Sequence, residues 1–202
     1  MPVDAVFHES FDRLDPGRWR EVEVKGKTVY IVEEQEREHV LKASSRSSAS
    51  ILLAPVRIDP KDAPWLSWRW RVDQVAEGES LAHKRGSDAS ARVYVYFETP
   101  GLLWQKRNVD YVWSAKLPVD SMLPSAFSRS SMMIVAESGA KQLGRWHQVV
   151  RNVREDYQRC FRDAPPLIIG IGVMTDTDNT RSEAVAYYDD LMLTRQPPAS
   201  TP

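Results

Sequence analysis

The segment "MTDTDNT" at residues 174–180 places Asp176, Asp178 and Asn179 within four positions, directly after an apolar run. Side chains of this kind serve a hard cation, acid–base chemistry or a tight turn, and spacing helps to separate these uses. An EF-hand loop starting at Asp176 needs glycine at its sixth position and glutamate at its twelfth. Arg181 and Tyr187 stand there instead, so that motif is excluded. Two readings remain. The Asp and Asn side chains cap their own backbone where a strand ends. Alternatively, Asp176 and Asp178 join Asp189 and Asp190 of "YYDDLML" around a structural calcium, which accepts about six to eight oxygens in forgiving geometries.

A second constellation lies on two segments that alternate with period two. "LSWRWRVD" sets Leu66, Trp68, Trp70 and Val72 against Ser67, Arg69, Arg71 and Asp73, and "ARVYVYFE" sets Val93, Val95 and Phe97 against Arg92, Tyr94, Tyr96 and Glu98. If the two segments are neighbours in one sheet, Arg69, Arg71, Arg92, Tyr94, Tyr96 and Glu98 share a surface, with Asn108 and Asp110 of "NVDYVW" beside them. Guanidinium forks suit carboxylates and sulfates, and tyrosines offer a stacking face and a hydroxyl. Such a surface fits an acidic glycan or another small anionic ligand. The alternative is that these arginines pair with Glu98 and Asp110 across strands, as on an ordinary solvated sheet.

Two loop features belong to the same question. "HKRGSDASAR", with His83, Lys84, Arg85 and Asp88, is either an anion-gripping loop or a solvated one, and it lacks the spacing of a Walker loop. Trp104 in "GLLWQKR" is either a sugar-stacking platform or a cover for a core edge. For catalysis, Glu98, Tyr94 and Asp110 are the leading candidates. A glycosidase needs two carboxylates roughly 5–10 Å apart, and a lyase pairs Tyr or His with an arginine; no spacing singles out such a pair. The chain contains no serine elbow, no zinc-binding "HExxH" and no dinucleotide fingerprint, so no organic cofactor is expected.

The elements that must position these residues are mostly strands. "AVFHESF", "EVEVKG", "TVYIVEE", "HVLKASS", "SILLAPVRI", "VDYVWSA", "MMIVAES", "LIIGIGVMT" and "AVAYYDDLMLT" are rich in β-branched and aromatic residues and are separated by turn signals. One helix is expected near "VVRNVREDYQRCFRD", where Val150, Val153, Tyr157 and Phe161 recur at three and four and "APP" stops the run. The class is therefore all-β with one α-helix, an antiparallel β-sandwich or jelly roll of the concanavalin-like or galactose-binding-like kind. One domain spans residues 1–196, and "QPPASTP" leads into a disordered tail at 197–202.

Composition narrows the partners. Lys and Arg total 27 against 28 Asp and Glu, a net charge of −1, so no global field holds the chain on nucleic acid or an anionic bilayer. No apolar stretch approaches the roughly 18 residues of a membrane span, and the first residues show no signal-like core. The single cysteine, Cys160, permits no intrachain disulfide and reads as a buried structural thiol. Nothing in the sequence sets the oligomeric state.

Several stretches together resemble bacterial domain-of-unknown-function family 3047: "LSWRWRVD", "KRGSDASARVYVYF", "YVW" followed by "LP", "LGRWHQVVRNVREDYQRCF", "PPLIIGIGVMTDTDNT" and "YYDDLML". The resemblance implies one β-rich domain and a periplasmic or secreted location; it carries no reaction. "FHESFDRLDPGRW" and "YYDDLML" also look like the first and last strands of jelly-roll carbohydrate-binding modules, whose strand pairs often hold a structural calcium. The leading expectation is a glycan-binding sandwich. A polysaccharide lyase or glycoside hydrolase on the same face, and an envelope interaction domain without a small ligand, are the alternatives.

Overall fold

The computed structural model describes residues 4–36, 38–102 and 105–198. It forms a sandwich of two sheets. The first, sheet A, orders its strands β11 (His147–Asn152), β6 (Trp65–Gln74), β13 (Glu183–Thr194), β4 (Glu38–Arg46) and β3 (Val29–Gln35), and β1 (Ala5–Glu9) pairs with the C-terminal half of β13. Sheet B runs β2 (Arg20–Lys25), β5 (Ala49–Ile58), β12 (Ile168–Met174), β7 (Arg92–Phe97), β8 (Asn108–Ser114), β10 (Ser131–Ser138) and β9 (Met122–Pro124). All pairings are antiparallel except β8 with β10. The expected β-sandwich is what forms, and it has the jelly-roll character.

Alternation explains the packing. Leu66, Trp68, Trp70 and Val72 of β6 and Val93, Val95 and Phe97 of β7 are all buried in one cluster between the sheets. Rings meet across the gap: Trp68 lies 5.3 Å from Tyr111 and Trp70 lies 5.9 Å from Trp113. Each such ring removes roughly 150–250 Å² from water, worth about 4–6 kcal/mol at about 25 cal/mol per Å². The core therefore fixes which side of each strand faces inward, and so which residues are left for the outer faces.

The helix α1 is shorter than the sequence predicts, at Val153–Phe161. Asn152 is its N-cap, accepting from the Glu155 amide at 3.2 Å and donating Nδ2 to Glu155 Oε1 at 2.9 Å, a reciprocal cap that outweighs the apolar spacing as the start signal. Val150 consequently belongs to β11, where it is exposed. Arg162 closes the helix in the left-handed conformation before Ala164 and the two prolines. Cys160 is partly buried, and burial pushes its thiol up to about 12, the behaviour of an inert structural cysteine. Short β9 lies in the segment that joins β8 to β10. Of the expected tail, residues 199–202 lie outside the described residues. Among the described residues no helix is long and apolar enough to cross a membrane.

Candidate functional site

The two arginine-bearing strands are not neighbours. β6 belongs to sheet A and β7 to sheet B, and both turn their apolar residues into the shared core, so Arg69 and Arg71 face away from Arg92, Tyr94 and Tyr96. The single surface expected from the sequence is two surfaces on opposite sides of the sandwich. Periodicity fixes the side a residue takes relative to its own strand; it carries no information on sheet membership.

On sheet A the arginines are already engaged. Arg69 binds Asp189 through Nη2, Glu38 at 2.7 Å and Asp190 at 2.9 Å. Arg71 pairs with Asp73 at 2.8 Å and lies 4.1 Å from the Tyr187 ring centroid. Trp146 receives both guanidinium groups at 5.2 and 5.5 Å. This is the pairing alternative, realised with different carboxylates from those expected, across strands for Arg69 and within β6 for Arg71.

On sheet B the outer face carries a cleft of about 290 Å³. It crosses five strand-to-strand steps, from Val24 on β2 to Ser131 on β10, about 24 Å at the usual interstrand spacing of about 4.8 Å. Tyr94 and Tyr96 stand at its middle, stacked with ring centroids 5.6 Å apart and planes 16° from parallel. On one side Gly172 lies opposite Tyr94 and Gly170 opposite Tyr96; on the other Asp110 and Asn108 do. A Cβ on Gly172 would stand 3.0 Å from Ile51 Cγ2 and 3.1 Å from the Leu52 carbonyl oxygen, so the bare backbone there is what lets Ile51 and Leu53 pack towards the tyrosines. Val24 and Phe127 leave apolar groups exposed at the two ends.

The polar heart of this cleft is Arg92, which is 4% exposed. Its Nε donates to Asp176 Oδ1 at 2.7 Å, Nη2 to Asp176 Oδ2 at 3.2 Å and to the Ser87 carbonyl at 2.8 Å, and Nη1 to Asp110 Oδ2 at 2.6 Å and Met133 Sδ at 3.6 Å. All five N–H groups are used, so Arg92 has none left to grip an anion. One cation between two buried carboxylates leaves an excess of negative charge. Burial raises Asp176 to about 7 in spite of Arg92, and burial likewise raises Asp110 against the pull of the same guanidinium. Asp110 is 1% exposed, and among the described residues no donor meets its Oδ1 in hydrogen-bond geometry. The Tyr94 hydroxyl lies beside this carboxylate and favours its ionised form, but its own hydrogen bond goes to the Met174 thioether at 3.6 Å. Burial pushes the Tyr94 and Tyr96 phenols well above the usual tyrosine range.

"TDTDN" is a braced turn. Asp88, buried in the preceding loop, accepts from the Asn179 amide at 3.2 Å and Nδ2 at 2.8 Å, and from the Thr180 amide and Oγ1 at 2.7 Å each. Asp88, Asp176 and Asp178 can bring oxygens within 4.8 Å of one another, a group able to coordinate a metal. Its membership differs from the expected set: Asp189 and Asp190 sit on sheet A with Arg69, and Asp88 takes their place. The donor set is also largely spent, with Asp88 accepting four hydrogen bonds and Asp176 holding the Arg92 fork.

Of the other expected residues, Glu98 is exposed beyond the end of β7 and pairs with Arg57 at 2.8 Å; it does not line the cleft. Trp104 lies outside the described residues. Asn108 lines the cleft beside Asp110, as the sequence suggests, and Ser131, Ile51, Met174, Val24 and Phe127 join it without having been predicted as ligand contacts. The "GIG" of "LIIGIGVMT" was the available signal, since glycines two apart in a strand bare one face of a sheet.

Fold and site together define a single-layered cleft on the outside of a jelly-roll sandwich, lined by paired tyrosines and buried carboxylates. The chain belongs to DUF3047, described as a protein of unknown function, whose family model matches residues 17–192. No curated protein sequence matches the chain. Among solved structures it is similar to the CBM22-2 xylan-binding domain of Paenibacillus barcinonensis Xyn10C, at 13% identity over 94% of this chain and 99% of that one, with a TM-score of 0.46. It is also similar to a family 30 carbohydrate-binding module of a cellulosomal cellulase of Clostridium thermocellum, at 10% identity over 94% and 98%, TM-score 0.49. A third is the K3 cleaved adhesin domain of Lys-gingipain from Porphyromonas gingivalis, at 14% identity over 94% and 99%, TM-score 0.46. Likenesses of this size assign no ligand.

Proposed function

We propose that the protein is a non-catalytic carbohydrate-binding domain whose ligand lies across the outer face of sheet B. The observation that carries this reading is a cleft centred on the Tyr94–Tyr96 pair and lined by Asp110, whose buried Oδ1 meets no donor among the described residues. A sugar supplies both complements, a hydroxyl donor for the carboxylate and an apolar C–H face for the rings. The cleft's lining reaches over six neighbouring strands, from β2 to β10, which suits a chain of sugars. Because Arg92 is saturated and the lining carboxylates outnumber it, the ligand is a donor-rich glycan without acid groups, in place of the acidic one that the arginine pattern suggests.

Binding without turnover is favoured by the same geometry. Asp110 and Asp176 share one arginine, and the phenol of Tyr94 is held too basic to ionise as a lyase base. Calorimetric titration with neutral and uronate oligosaccharides, assayed in parallel for new reducing ends and unsaturated products, tests the reading. Neutral chains are expected to bind without cleavage, with Tyr94→Ala weakening them at least about tenfold, roughly 1.4 kcal/mol, and Arg71→Ala leaving them unchanged. Preference for uronates, or turnover, would overturn it.

A further inference from the structure

Asp110 Oδ1 is a buried carboxylate oxygen awaiting a donor, and the charge around it determines what kind of donor suits it best. Three of the described residues lining the cleft are acidic, Asp110, Asp176 and Asp178, against one base, Arg92. Lys25 reaches Asp178 from the rim at 3.6 Å, which still leaves one carboxylate in excess. Asp88 stands behind Asp176 and Asp178, adding to the same sign. A ligand hydroxyl would complete the hydrogen bond and leave the carboxylate in excess to be balanced by a proton, as burial favours at Asp176 and Asp110. A cationic N–H would complete the bond and neutralise the surplus, and charge-assisted hydrogen bonds are roughly twice as strong as neutral ones.

We propose that the group Asp110 receives is a protonated primary amine, so that the cleft selects glycans built from amino sugars whose nitrogens are free. This rests on the sheet-B cleft being the sugar site. The central sugar ring takes the tyrosine pair, and its neighbours along the glycan meet Val24 and Phe127 at the two ends, 61% and 57% exposed. The ammonium takes the place of the Tyr94 hydroxyl beside Asp110, whose own hydrogen bond goes to the Met174 thioether. A tyrosine ring adjacent to the ammonium adds a cation–π attraction. A bare divalent metal is disfavoured at Oδ1 because the Arg92 guanidinium occupies the other oxygen of the same carboxylate.

The test is a calorimetric series on the full chain with three β-1,4-linked tetrasaccharides, of glucosamine, of N-acetylglucosamine and of glucose, together with n-butylammonium chloride. The glucosamine chain is expected to bind at least about tenfold more tightly than the other two. Asp110→Asn, checked for folding by circular dichroism, is expected to remove the difference; if that variant does not fold, the series on the unaltered chain decides. Equal affinities for the three sugars would overturn the amine assignment and leave sugar binding standing. Uptake of butylammonium with no sugar bound would overturn the sugar reading and leave Asp110 an amine site. Binding of none of the four would overturn both.

Discussion

Arg92 grips Asp176 with two parallel donors, Nε at 2.7 Å and Nη2 at 3.2 Å, joining the first residue of β7 to the loop that leaves β12. The pair is buried on both sides, with side-chain exposures of 5% and 4%. Removing one member of such a pair strands the other, at a cost of about 3–5 kcal/mol. Arg92→Ala is therefore expected to lower the melting midpoint by about 6–20 °C, at about 2–4 °C per kcal/mol for a chain of this size. A drop smaller than 3 °C in a thermal melt would show that the network is not holding the loop.

Asp88 has the corresponding role on the other side of the turn. Asp88→Asn replaces one accepting oxygen by an NH₂ group, so at least the pair of Thr180 donors or the pair of Asn179 donors loses its acceptor. The expected cost is about 2–3 kcal/mol, read as a fall in melting midpoint of about 4–12 °C and as faster amide exchange at Asn179 and Thr180. Unchanged exchange at those two amides would mean that the turn holds its shape without Asp88.

Calcium is expected to change little. Any ion at Asp88, Asp176 and Asp178 competes with hydrogen bonds that already satisfy two of the three carboxylates. An ion present at a hundred times its dissociation constant adds about 2.7 kcal/mol, hence about 5–10 °C. Melts in millimolar calcium and in chelator should agree to within about 1 °C; a gap of the larger size would restore the metal reading of "TDTDN".

How much of this was legible in the chain is clearest from Arg92 and Arg69. Alternation placed Arg92, Tyr94 and Tyr96 on one side of a strand whose other side is core, and it placed Asn108 and Asp110 within reach; the structure has all five lining one cleft. The same alternation gave Arg69 an identical description, yet residues 75–91 carry the chain from sheet A to sheet B between the two strands. That passage is a tertiary choice, set by which aromatic faces pack, and no local pattern encodes it. The burial of Arg92 was equally hidden. An arginine alternating with valines reads as solvated, and it becomes buried only because Ser87 of the loop just before it and Asp176, far along the chain, close over it. Asp176 could be seen to belong to a turn; that it completes an ion pair with β7 could not.

Stability should depend on pH in an unusual direction. Burial raises Asp176 to about 7 and Asp189 to about 6, both far above an unfolded aspartate at about 3.9. Between these values the folded chain binds more protons than the unfolded one, so their contribution is fully present below about pH 4 and is lost as pH rises through about 6 to 7. Ordinary salt-bridged carboxylates act in the opposite sense, but they titrate below about pH 4 to 5. In the window from about pH 5.5 to 8 the melting midpoint should therefore fall as pH rises, and Asp189→Asn, which removes one of the two groups, should flatten the slope. Melts that hold constant or climb across that window would show that Arg69 and Arg92 overcome burial at both carboxylates.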